Sequence, residues 1–331
     1  MKIKEISTEI KTIPLKTPFI TALRQVEDVE FVRVKIVFDN GKFAYGEAPA
    51  TKAITGEDLE TIVYAIQNIK DDLLALRVEE ALRVLEKTEM GSSAKAALDM
   101  ALYFAKIPFK LTDTTPIKTD ITISVGTQEK MLHDAKKAFA NGNEILKIKL
   151  DADIKHAVQV TQTIAQALPK AKLLIDANQA WTLEKTLYFI ENLKNIPIEL
   201  IEQPVHAEDL EALQTITQRS HIPILADESV FTLEDVKKVM DMNAANMINI
   251  KLMKCGGVTH AIKILEYAKE NNIACMLGSM LEGPHSINAA LYLAFKYRDV
   301  IKYVDLDSPL LYKEPSKELK FLFNGSEVFW Q

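Results

Sequence analysis

The rhythm of hydrophobic and polar positions changes once along the chain. Near the N-terminus, "IKEISTEI" and "FVRVKIVF" mix apolar and polar residues in the short-period manner of half-buried antiparallel strands. A turn at Asp39–Gly41, reading DNG, joins the second of these to "KFAYGEA", which is a strong hairpin signal. Apolar residues then recur at helical spacing over residues 57–69, 78–86 and 92–107. The stretch "PFKLTDTTPIKTD" breaks the pattern with two prolines and places a domain boundary near residue 114.

Beyond that boundary, short apolar runs alternate with helical stretches: TDITISV, EILKIKL, KLLIDAN, IELIEQP, PILADES, NMINIKL, ACMLGS and KYVDLD. Alternation of strand and helix argues for a parallel sheet. One residue near the end of each run from the second onward, namely Lys149, Asp176, Glu202, Asp227, Lys251, Ser279 and Asp307, recurs every 24 to 28 residues. That step is the length of one strand-helix unit, and eight such units close into a (β/α)8-type, TIM-like barrel. An open doubly wound sheet is the rival, but it brings a glycine-rich loop after its first strand, where this chain has VGTQEK. The expected fold is therefore α/β. A modified barrel occupies 115–308, an α+β capping domain 1–114, and the C-terminal segment 309–331 returns to the cap.

Composition narrows the partners. The 331 residues carry 40 basic and 46 acidic side chains, a net charge of −6, which gives no basic footprint for nucleic acid or an anionic membrane. No run is long and apolar enough to span a bilayer, and the N-terminus lacks the apolar core of a signal peptide. Cys255 and Cys275 are too few for a disulfide framework or a thiolate metal site. A cytoplasmic protein with a small-molecule ligand is expected, and assembly into a homo-oligomer is left open.

The stretch EILKIKL poses the sharpest chemical question, because Lys147 and Lys149 share one face of an otherwise apolar strand. An edge strand would turn them to water. In a barrel, however, the C-terminal strand ends form one mouth, and seven successive runs deliver polar groups there. Asp176, Glu202 and Asp227 come from adjacent strands, and three close carboxylates repel unless a cation or protons intervene. Ligation by oxygen alone points to one Mg²⁺ ahead of Mn²⁺ or Ca²⁺; the plainer alternative is a solvated acidic rim. Lys149 and Lys251, on the second and sixth strands, oppose each other across an eight-strand ring. That suits removal of a proton from one side of a carbon and its return on the other. Lys147 would raise the cost of charging Lys149, leaving it available as a base nearer neutrality.

In their order and spacing, KIK, DAN, EQP, ADES, KLMKCGG and DLD make nearly the whole chain resemble the enolase superfamily, muconate-lactonising subgroup. Within it the sequence is most similar to dipeptide epimerases acting on L-Ala-D/L-Glu. The resemblance implies Mg²⁺ on Asp176, Glu202 and Asp227, with acid/base roles for Lys149 and Lys251 and Lys147 beside them. It implies a small dipeptide substrate from murein peptide turnover, inverted at the α-carbon of its C-terminal residue by two-base 1,1-proton transfer through an enolate. Asp305 and Asp307 match the pair that binds the substrate's α-ammonium group. Arg24, in a stretch TPFITALRQV that looks like a mobile capping loop, matches an arginine that meets the glutamate side chain. Thr122, Ser124, Ser279 and Met280 are further candidates for substrate contact. LEGPHS departs from the corresponding loop of Ala-Glu epimerases, and Glu228, Glu282 and His285 are left without a role. The alternatives on the same scaffold are o-succinylbenzoate synthesis, N-acylamino acid racemisation and muconate-type cycloisomerisation, whose substrates lack the amine that two carboxylates suit. A non-catalytic binding protein would be marked by loss of a metal carboxylate or a lysine, and none is lost.

Overall fold

The computed structural model describes residues 1–22 and 24–331. Its N-terminal region is an antiparallel sheet of β1 (Ile3–Ile20), β2 (Gln25–Phe38) and β3 (Phe43–Pro49), in that order. In the stretch expected as a mobile loop, Phe19 pairs with Val26 and Ile20 with Gln25, and Thr21 N–H donates to the Arg24 carbonyl at 2.9 Å, while Leu23 lies outside the described residues. Pro14 and Pro18 are tolerated because β1 is an edge strand, where a missing N–H leaves no ladder broken on the far side.

Four helices follow: α1 (Lys52–Thr55), α2 (Leu59–Leu73), α3 (Val78–Lys87) and α4 (Ser92–Lys106). Small residues recur through α4, and Ala94, Ala97, Leu98 and Ala101 are fully buried. A short strand, β4 (Ile117–Lys118), then leads into the barrel.

The barrel strands are β5 (Ile121–Ile123), β6 (Ile145–Lys149), β7 (Lys172–Asp176), β8 (Ile198–Glu202), β9 (Ile224–Ala226), β10 (Met247–Lys251), β11 (Ala274–Gly278) and β12 (Ile301–Asp305). They form one eight-stranded sheet in sequence order, with parallel pairing throughout. Its outer strands meet at a seam where Asp120 N–H donates to the Val304 carbonyl at 3.0 Å and Leu306 N–H donates to Thr119 Oγ1 at 3.1 Å. The expected barrel and separate N-terminal sheet are both present.

Helices α5 (Gln128–Ala140), α6 (Ile154–Ala167), α7 (Leu183–Asn192), α8 (Leu210–Arg219) and α9 (Leu233–Asp241) connect the first strands. Each starts on a Thr or Asp, at 127, 153, 182, 209 and 232, whose side chain accepts a first-turn N–H. Next come α10 (Leu252–Cys255), α11 (Val258–Glu270), α12 (Pro284–Lys296) and α13 (Ser308–Leu311). Both α11 and α12 begin after a glycine, and the N-terminal region supplies their caps. Asp99 accepts from Thr259 N–H at 2.9 Å, and Glu47 accepts from His285 and Ser286 N–H at 2.7 and 3.2 Å. Carboxylates placed there satisfy orphan donors and oppose the helix dipole. Arg33 extends the second contact by pairing with both Glu47 and Glu318. The chain ends in β13 (Phe321–Asn324) and β14 (Glu327–Trp330), which pair with each other, β14 also with β4.

Period-two alternation stacks the barrel interior in layers. Ile145, Leu174, Leu200, Leu225, Met247 and Met276 form an apolar plug. Two residues further along each of those strands stand Lys147, Asp176, Glu202, Asp227, Asn249 and Gly278. The plug is thus the floor beneath a polar layer. Leu200→Ala, at a fully buried plug position, is expected to cost about 2–5 kcal/mol in urea unfolding, and a loss under about 1 kcal/mol would mean the plug carries no packing load.

Candidate active site

Lys147 is fully buried at the centre of the polar layer. Its Nζ lies 2.6 Å from Asp305 Oδ2, 2.7 Å from Glu202 Oε2 and 3.1 Å from Asp176 Oδ2. Burial opposes its charge, but these acids outweigh burial and hold its pKa well above the ordinary lysine range. Lys149 donates to Asp176 Oδ2. Lys251 donates to Asp227 Oδ2 at 2.6 Å, and Lys254 to Asp227 Oδ1 at 2.5 Å. Lys147 therefore does not act on Lys149 as a bare like charge, as its sequence position suggested, because one oxygen of Asp176 engages both ammonium groups. The pKa of Lys251 is raised too: burial opposes it, but Asp227 prevails.

The acids respond in opposite directions. Burial would raise Asp176, but Lys149 and Lys147 draw it down to about 2. Burial, reinforced by the Asp176 and Asp227 carboxylates, pushes Glu202 up to about 8. Asn249 Nδ2 donates to Glu202 Oε1 at 2.8 Å and fixes its orientation. Asp120, unnoticed in the sequence, is fully buried, and neither carboxyl oxygen is hydrogen-bonded among the described residues. Burial and the neighbouring Asp305 raise its pKa well above the carboxylate range.

These oxygens fit a divalent cation by their chemistry. In this arrangement ammonium groups take them, and among the described residues no three acidic, histidine or cysteine side chains are grouped closely enough to hold a metal ion. Yet seven buried acids, Asp120, Asp176, Glu202, Asp227, Glu228, Asp305 and Asp307, face four lysines, Lys147, Lys149, Lys251 and Lys254. An all-oxygen donor set in which acids outnumber lysines, and one member of which, Glu202, has its pKa raised by burial and by its acidic neighbours, suits a hard cation.

Above the layer opens a cavity. Lys149 and Lys251 line it together with Asp305, Asp307, Thr122, Ser279 and Met280, whereas Lys147, Asp176, Glu202 and Asp227 lie beneath. Ser124 is not brought to it; its Oγ accepts from Ile20 N–H at 3.2 Å. Arg24 reaches the cavity from the hairpin tip, donating to the Ala50 carbonyl at 3.3 Å. Burial lowers its pKa, and it forms no ion pair among the described residues. Asp307 accepts from Thr122 N–H at 2.7 Å, and burial together with Asp305 raises it to about 6. A cationic group beside this acid pair would relieve that repulsion.

Sequence reading missed Phe19, Thr21, Thr51, Ala53, Ile54 and Leu281, which line the wall together with Asn178 and Glu228. Most come from the cap, where no strand-end pattern marks them. Lys254, inside the KLMKCGG motif, donates to both the carboxylate and the carbonyl of Asp227.

The enolase C-terminal domain-like family model matches residues 130–321. A protein of Sulfurimonas denitrificans named L-amino acid-D/L-Glu epimerase is 57% identical, over 99% of each chain. The chain belongs to the enolase superfamily. A substrate-liganded complex of the L-Ala-D/L-Glu epimerase from Bacillus subtilis superposes with a TM-score of 0.95 at 36% identity, covering 100% of this chain and 97% of that one. A dipeptide epimerase from Enterococcus faecalis, in complex with Mg and L-Leu-L-Tyr, gives 0.90 at 30% identity, covering 100% and 98%.

In this enolase-superfamily chain His285 stands apart from the chemistry, packed on Tyr45 with ring centroids 4.8 Å apart. Burial first, then the Arg33 charge, lowers its pKa from 6.5 to about 4, against an opposing pull from Glu318. The folded chain thus refuses a proton that the unfolded chain accepts, so stability is lost as pH falls through that window. His285→Gln is expected to lose less stability than the parent between about pH 7 and about pH 5 in urea unfolding. An equal loss in both proteins would contradict this account.

Proposed function

We propose that this chain is a divalent-cation-dependent dipeptide epimerase that inverts the α-carbon of the C-terminal residue, with Ala-Glu peptides as the preferred class. One observation carries the reading: Lys149 and Lys251 enter one cavity from the second and sixth of eight barrel strands, and that cavity also holds an acid pair and a partly buried arginine. In this reading the barrel, 115–308, carries the chemistry, and the cap, 1–114, with the tail, 309–331, closes over it.

Asp305 and Asp307 receive the substrate's α-ammonium group, and Arg24 receives the side-chain carboxylate of the second residue. The α-carbon then lies between the two lysines. One of them, as the free amine, takes the α-proton; the other, as the ammonium, delivers a proton to the opposite face. Lys147 stays charged beneath and offsets the negative charge that moves into the adjacent carboxylate. Asp176, Glu202 and Asp227 would hold Mg²⁺, which supplies further positive charge to that carboxylate when bound. Thr122, Ser279 and Met280 bound the substrate. The names of the Sulfurimonas and Bacillus relatives support the Glu-containing class, and the Mg-bound Enterococcus structure supports the metal. Acid at positions 305 and 307 disfavours N-acylated or purely anionic substrates, which separates this reading from its sister reactions.

Proton NMR of L-Ala-L-Glu in D₂O with the protein and Mg²⁺ is expected to lose the glutamate α-proton signal as the second epimer appears. Unchanged spectra would remove the proposal. Arg24→Ala is expected to lower kcat/KM for Glu-containing dipeptides by about a hundredfold while affecting apolar dipeptides far less. Equal losses across dipeptides would assign Arg24 another task.

A further inference from the structure

Lys251 lies between two unlike neighbours. On the β9 side its ammonium donates to Asp227. On the β11 side its register partner is Gly278, which brings no side chain to the polar layer. The backbone of Gly278 has no positive φ, so conformation does not call for glycine there. Space does: a β-carbon on Gly278 would stand 3.1 Å from Lys251 Cε, 2.7 Å from Asn249 Oδ1 and 2.9 Å from Asn249 Nδ2. Asn249 has little freedom to step aside. Its Nδ2 holds Glu202 Oε1 at 2.8 Å, and its carbonyl accepts from Lys254 at 3.0 Å. Glycine inside a strand commonly marks such a close approach. Lys149 has no such neighbour among the described residues: its register partner on β7 is Asp176, and none of its atoms is among those nearest to a β-carbon built at any glycine.

We propose that Gly278 is a positioning residue for Lys251 and not for Lys149, its bare backbone being the room in which the Lys251 side chain lies between Asp227 and the substrate carbon. This rests on the two-base epimerase reading, and the two lysines can be read separately within it. When a lysine amine takes the α-proton, its N–H bond forms as the substrate C–H bond breaks. The resulting ammonium trades protons with D₂O and can return a deuteron from the same side, which labels the substrate without inverting it. Each base therefore reports on one epimer.

The experiment follows α-proton exchange by NMR in D₂O, with Mg²⁺, starting separately from L-Ala-L-Glu and L-Ala-D-Glu. Lys251→Ala identifies the epimer that Lys251 serves. Gly278→Ala is expected to cut exchange of that same epimer by about a hundredfold while the other epimer continues to exchange without inversion, which also shows that the variant is folded. Equal losses for both epimers, or no loss, would overturn the inference while leaving the epimerase reading intact. No exchange by the unaltered protein would overturn that reading and the inference with it. Should Gly278→Ala fail to fold, the double variant Asn249→Ala, Gly278→Ala removes the two closest atoms and keeps the contact with Lys251. It is measured against Asn249→Ala alone, so that loss of the Glu202 hydrogen bond is common to both; an added loss confined to the epimer that Lys251 serves is expected, and an added loss equal for both epimers, or none, would overturn the inference.

Discussion

A buried ammonium group is stable only where acids surround it, and the architecture of this barrel follows from how Lys147 meets that condition. Three strands besides its own deliver carboxylates to its Nζ: Asp176 from β7, Glu202 from β8 and Asp305 from β12. Asp176 and Glu202 are closed off from water and Asp305 nearly so, so the layer holds its geometry with little solvent screening. The apolar plug beneath keeps water out from below. The cavity above inherits two lysines whose positions are set by this layer, Lys149 through Asp176 and Lys251 through Asp227.

The site is not the barrel's alone. Arg24, Thr51 and Ile54 come from the N-terminal region, so the cavity exists only while that region sits in register on the barrel. Two buried carboxylates enforce the register. Asp99 caps the helix that follows the Lys251 segment, and Glu47 caps the helix that follows Ser279 and Met280. A shift of the cap would leave two helix N-termini with unsatisfied donors.

Much of this was legible in the sequence because parallel barrels write their chemistry at strand ends. The step of 24 to 28 residues placed eight strands, and the polar residues ending them fell into phase. What could not be read depends on contacts between distant segments. The loop expected at TPFITALRQV rested on likeness to a family, and the pairing of Phe19 and Ile20 with Val26 and Gln25 leaves no local mark in that stretch. Lys147 looked like a charge acting on Lys149, since adjacency in a strand is visible and the acids of β7, β8 and β12 are not. Asp120 sits on the seam strand one inward position before Thr122, and nothing local separates it from a turn residue. Ser124, only two residues beyond Thr122, is turned to the end of β1 instead of the cavity. Gly278 reads as an ordinary strand-end glycine until Lys251 is placed beside it.

The account turns on competition for the same carboxylates. Asp176 and Asp227 here accept from the two lysines proposed as bases, and a divalent ion on the same carboxylates competes with those ammonium groups for their negative charge. The most direct measurement is calorimetric titration of Mg²⁺ into the protein and two variants. The account predicts one ion per chain, loss of binding in Asp176→Asn, and tighter binding in Lys149→Met, where the competing ammonium is gone. Binding unchanged in both variants would place the cation elsewhere and contradict the shared-carboxylate account of this site.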